Sequence, residues 1–95
     1  MKKSKYFQDS HKIIGSYLKE KREEAGLSQV FVASELGCKP QYICNWERGA
    51  TTPPWDYMRV IVKLYKMSPK ELYDFLLEIQ TKELRKNLGL TKQAK

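Results

Sequence analysis

A chain of 95 residues with a net charge of +7 makes one domain around one core, with little left over for a second, ligand-sensing domain. The basic excess favours a polyanionic partner. No apolar run approaches the roughly 20 residues needed to span a bilayer, and the N-terminus lacks the apolar stretch of a signal peptide, so the expected location is the cytoplasm. Two cysteines, Cys38 and Cys44, and a single histidine give neither a disulfide framework nor a metal cluster, so no metal or other cofactor is expected.

The charge is unevenly placed. Residues 1–12 carry Lys2, Lys3, Lys5 and Lys12 against Asp9, and residues 79–95 carry Lys82, Arg85, Lys86, Lys92 and Lys95 against Glu83. Residues 13–78 are balanced. The chain therefore divides into a basic N-terminal arm (1–11), a neutral domain (12–77) and a basic C-terminal helical extension (78–95).

The apolar pattern is helical throughout. A first helix is predicted over His11 to Ala25, with Ile14, Leu18 and Ala25 on the face that also carries Arg22, and Gly26 closing it. A second runs from Ser28, whose hydroxyl can cap free N–H groups, to Leu36, with Val32, Ala33 and Leu36 inward and Gly37 as its stop. A third begins at Pro40, a residue suited to a first helical turn, and reaches Trp46 or Glu47 before Gly49. After the Thr51-Thr52-Pro53-Pro54 loop, a fourth spans Trp55 to Lys66 through Met58, Ile61, Val62 and Tyr65. Ser68-Pro69-Lys70-Glu71 is a capping box that opens a fifth helix, whose inner stripe is Leu72, Phe75, Leu76 and Ile79 and which reaches about Leu88.

The informative stretch is Leu27 to Gly49. Two short helices joined by a tight glycine turn cannot bury their apolar faces alone and need the other helices as a platform. Ile43 and Trp46 anchor the third helix inward, which leaves Gln41, Cys44, Asn45 and Arg48 on its opposite face, at spacings of three and four. The major groove of B-DNA, about 12 Å wide, admits one such helix.

Ile14-Gly15, Leu18, Arg22, Gly26-Leu27-Ser28-Gln29, Ala33, Gly37, Ile43, Glu47-Arg48-Gly49, Pro54 and Ser68 to Leu72 resemble, in order and spacing, the Cro/XRE, lambda-repressor-like helix-turn-helix family over residues 12–77. The resemblance implies an all-α, compact five-helix domain that binds double-stranded DNA. It implies that Gln29 contacts a phosphate and braces the recognition helix. Gln41 and Asn45 then sit where bases are read, with amides suited to adenine; Cys44 shares their face, and Lys39 and Pro40 lead into it, the lysine within reach of a phosphate or guanine and the proline of a thymine methyl. Tyr42 and Arg48 would contact the DNA backbone; independently of the resemblance, charge concentrated outside a neutral core suits Lys2, Lys3 and Lys5 of the arm to the same task. Arg22 and Glu47 correspond to an internal ion pair. Three positions depart from the family pattern: Lys39 replaces the small hydroxyl residue common before the third helix, Pro40 takes an often polar position, and Lys66 stands where glycine often ends the fourth helix.

A second stripe on the fifth helix, Tyr73, Leu77, Leu84 and Leu88, is either a continuation of the core or a homodimer contact. The expectation is a transcriptional regulator, a repressor working as a homodimer on a palindromic operator. The rival is an antitoxin or adaptor that uses the same fold to grip a protein partner. Without a nucleophile–base pair, metal cluster or phosphate loop, no enzymatic activity and no small-molecule substrate are expected.

Overall fold

The computed structural model describes residues 5–90, with side chains from Ser10 onward. It contains five helices and, among the described residues, no strand: α1 (Lys5–Glu24), α2 (Gln29–Leu36), α3 (Pro40–Arg48), α4 (Trp55–Leu64) and α5 (Pro69–Asn87). Lys2 and Lys3 lie outside the described residues, as do Lys92, Lys95 and the side chain of Lys5.

Local chemistry sets most boundaries. The Ser28 hydroxyl accepts from the Phe31 N–H at 3.0 Å, and Ser68 accepts from the Glu71 N–H at 3.0 Å. Each satisfies a donor that has no partner inside its own helix. Lys39 occupies the cap position of α3 without a side-chain bond, and Pro40 removes one of the N–H groups that would otherwise need a partner.

Two boundaries differ from the sequence expectation. First, α1 starts at Lys5 and not near His11, so the second half of the expected arm is helical. No proline or glycine interrupts residues 5–14, and Ser10 hydrogen-bonds to Glu83 of α5, giving this extra turn a tertiary partner. Second, α4 ends at Leu64, and Lys66 adopts a left-handed conformation with φ 58°. That conformation costs a residue with a Cβ about 1–2 kcal/mol. It lets the Met67 N–H reach the Val62 carbonyl at 2.9 Å and turns Met67 into the core.

The core holds the expected Leu18, Val32, Ala33, Ile43, Trp46, Met58, Ile61, Val62, Tyr65 and Leu72, with Met67 added. α1 is clamped to α5 by a stack of Tyr17 on Phe75, with ring centroids 3.8 Å apart, and by Lys21 Nζ at 2.7 Å from Glu71 Oε2. The Tyr17 hydroxyl also donates to Glu71 Oε2 at 3.2 Å.

α1 and α3 meet at two glycines. A Cβ on Gly15 would lie 2.7 Å from the Glu47 carbonyl oxygen and closer still to that of Trp46. Gly49, at φ 85°, approaches the Lys12 backbone so closely that a Cβ would lie 2.7 Å from the Lys12 Cα. Both obstacles are backbone and cannot rotate away. The position of the third helix therefore depends on these hydrogens.

Two measurements follow from this packing. Gly15→Ala should cost about 1–3 kcal/mol through overpacking and lower the melting temperature, whereas Gly89→Ala, where a Cβ meets nothing within 4 Å, should cost only the left-handed penalty of about 1 kcal/mol. Equal melting temperatures for the two variants would contradict the close approach. The second concerns pH. The hydrogen bond from the Lys21 ammonium, helped by that from Tyr17, holds the Glu71 carboxyl below its usual range. A depressed carboxyl stabilises the fold above the ordinary carboxylate range and loses that contribution as pH falls through it. Glu71→Gln should thus melt below the wild type at neutral pH, and the difference should shrink as pH falls through and below the ordinary carboxylate range. A constant difference would contradict the coupling.

Candidate nucleic-acid interface

The back of α3 is fixed by three kinds of contact. Ile43 and Trp46 are buried, and the Trp46 ring packs 5.6 Å, centroid to centroid, from Tyr57. Glu47 then turns inward to a hydrogen-bonded hub. Arg22 Nε donates to Glu47 Oε2 at 2.6 Å, and Arg22 Nη2 donates to Glu47 Oε1 at 3.1 Å, a two-pronged geometry that matches the planar guanidinium to the carboxylate. Arg22 Nη1 donates to the Leu27 carbonyl at 2.7 Å, and Gln29 Nε2 donates to Glu47 Oε1 at 2.9 Å. One carboxylate therefore joins the end of α1, the turn before α2, the first residue of α2 and the end of α3.

The hub is dry. The Arg22 and Glu47 side chains are 10% and 5% exposed. The hydrogen bond to Glu47 raises the Arg22 guanidinium above its usual range against the opposing effect of burial, so the guanidinium stays charged. Tyr65, buried beside it, is pushed up by desolvation first and by the Glu47 charge second, so its hydroxyl stays neutral. This constellation has no nucleophile in it, and among the described residues no group of His, Cys, Asp and Glu could hold a metal ion.

The outer face carries the other candidates. Lys39, Pro40, Gln41, Tyr42 and Arg48 are exposed, and Cys44 and Asn45 are half-buried at its edge. Arg48 Nη2 donates to Asn45 Oδ1 at 2.6 Å. Gln29 sits half-buried at the start of α2 and spends one amide hydrogen on Glu47, which leaves the second for an outside acceptor. Tyr42 is 47% exposed and leans on Trp46, with centroids 6.4 Å apart.

Reading the sequence alone missed two features of this surface. The Asn45–Arg48 bond was signalled only by its i, i+3 spacing. The other is Trp55, which the sequence placed only as the start of the fourth helix. It is 65% exposed at one end of an apolar groove that runs past Pro69 and Leu72 to Tyr73 and Leu77. The second stripe of α5 does not enter the core, since Tyr73, Leu77, Leu84 and Leu88 are all exposed.

The hub makes a quantitative demand. Glu47→Ala would leave Arg22 buried with its guanidinium largely uncompensated and should cost about 3–5 kcal/mol. Gln29→Ala removes one hydrogen bond to a charged group and should cost about 1.5–3 kcal/mol. Urea denaturation measures both, and a loss below about 1 kcal/mol for Glu47→Ala would show that the pair does not hold the helices together.

Among the described residues no helix is long and apolar enough to cross a membrane. Comparison with curated proteins and with solved structures returns no significant match. The family profile described as a helix-turn-helix domain matches residues 13–75, which span α2, α3 and the helices that support them. With its five-helix, lambda-repressor-like architecture, the chain belongs to the helix-turn-helix domain family of Cro/C1 type, a DNA-binding family.

Proposed function

We propose that the protein is a transcriptional repressor that binds a short palindromic operator as a homodimer in the cytoplasm or nucleoid. The observation that carries this reading is the two-sidedness of α3. Its apolar and acidic residues are locked inward, while Gln41, Asn45 and Arg48 face outward on a rigid helix of groove-compatible width. In this reading Lys39, Pro40, Gln41, Cys44 and Asn45 face the bases. Gln29, Tyr42, Arg48 and the lysines Lys2, Lys3 and Lys5 meet phosphates. Control lies in the concentration of the protein or in a partner.

The dimer reading rests on α5. Tyr73, Leu77, Leu84 and Leu88 form an exposed apolar stripe on a helix whose first half carries Glu71, Asp74 and Glu78 against Lys70 and whose second half carries Lys82, Arg85 and Lys86 against Glu83. A two-fold contact that pairs two copies of α5 antiparallel sets the acidic half of each against the basic half of the other. The same exposed stripe supports the second reading, an antitoxin or adaptor that grips a different protein.

Selection from a random duplex pool tests the main reading and should return a palindrome whose half-sites are centred 34–36 Å apart, about one turn. The double variant Leu77→Asp with Leu84→Asp should sediment as a monomer and bind that palindrome roughly 100-fold more weakly, because the second half-site then adds no avidity. A wild-type protein that is monomeric both free and on DNA would sink the homodimer and leave the stripe to a foreign partner.

A further inference from the structure

Asn45 and Arg48 are a hydrogen-bonded unit. Arg48 Nη2 donates to Asn45 Oδ1 at 2.6 Å. Arginine has donors and no acceptor, so the contact fixes the amide: Oδ1 faces Arg48 and the Nδ2 hydrogens face away. Among the described residues no carboxylate pairs with Arg48, because its neighbour Glu47 is turned inward onto Arg22. The guanidinium is exposed and keeps most of its five N–H donors.

This changes what Asn45 can read. A free asparagine suits adenine because it accepts from N6 and donates to N7 at once. Here the accepting oxygen is drawn toward a cation. An adenine amino group that approached the remaining lone pair of Oδ1 would bring its hydrogens against the N–H groups and positive charge of Arg48. Guanine presents two acceptors, N7 and O6, on the same edge and meets no such conflict.

We propose that Asn45 and Arg48 act together as a donor-rich unit that selects guanine at the base pair it faces, which makes Arg48 a base-reading residue and not a backbone contact. The inference rests on α3 being the recognition helix. Gln41, one turn earlier and exposed, lies outside this bond and keeps both halves of its amide for adenine. The outer face of α3 thus runs from an adenine-selecting amide near its N-terminal end to a guanine-selecting pair near its C-terminal end. The Asn45–Arg48 bond is an exposed i, i+3 contact that adds little to stability, so its loss should alter selectivity and leave the fold intact.

The experiment is selection from a random duplex pool with wild type, Asn45→Ala and Arg48→Met, together with melting temperatures. Asn45→Ala maps the position, as the one whose preference relaxes. The wild type should show guanine there. Arg48→Met keeps an unbranched apolar stem but removes the guanidinium and so frees Oδ1, and should shift that one position toward adenine by about tenfold while melting like the wild type. Adenine at the mapped position in the wild type would overturn the proposal. So would an Arg48→Met protein that binds every sequence more weakly with its preference unmoved, which is how a phosphate contact behaves. Failure of the wild type to enrich any sequence would remove the recognition-helix reading, and this inference with it.

Discussion

The carboxylate of Glu47 is the constraint on which the rest of the arrangement depends. It takes hydrogen bonds from Arg22 and Gln29, and Arg22 in turn holds the Leu27 carbonyl. A buried ion pair is not by itself a strong source of stability, because desolvation consumes much of the Coulombic gain. Its value here is geometric. Hydrophobic contacts through Ile43 and Trp46 hold α3 against the core but allow small rotations about its axis. A two-pronged guanidinium–carboxylate pair at its last turn does not. Base reading demands that side chains be placed within fractions of an ångström, and a polar hub behind the helix supplies what an oily contact cannot.

The same logic explains the glycines. Gly15 and Gly49 let the backbones of α1 and α3 touch, which brings Arg22 within reach of Glu47. A wider separation would leave both charges buried and apart. Close backbone approach and the ion pair are therefore one device, in which each part is costly without the other. The clamp between α1 and α5, built from Tyr17, Phe75, Lys21 and Glu71, performs a lesser version of this task on the far side of α1.

Much of this was legible in the residues. Helical periodicity identified nearly all of the core, and the Ser28 and Ser68 caps were placed by their chemistry alone. What escaped had physical reasons. The start of α1 was misplaced because nothing in residues 5–10 signals helix or arm by itself. Their order comes partly from Glu83, far away in sequence. Met67 was not among the expected core residues, because its burial depends on the left-handed turn at Lys66, a tertiary compromise that no propensity encodes. The outward face of α3 was legible as a set of residues but not as a network. Spacing tells which side chains share a face, whereas which of them bond to one another depends on rotamers.

The distribution of charge bears on how specificity and affinity are divided. The helix-turn-helix region carries no net positive charge, and the positive excess sits in residues 1–12 and 79–95. Nonspecific attraction to a duplex scales with the number of phosphates neutralised and falls steeply with salt, whereas base contacts contribute a difference between sequences that salt changes little. A protein built in this way separates the two terms in space. On the proposed function, the ends of the chain would set how tightly any duplex is held, and a short helix would set which duplex is preferred. On the proposed reading, the hub behind α3 fixes the orientation of Gln41 and of the Asn45–Arg48 pair, so a wrong base leaves a donor or acceptor unpaired and is penalised.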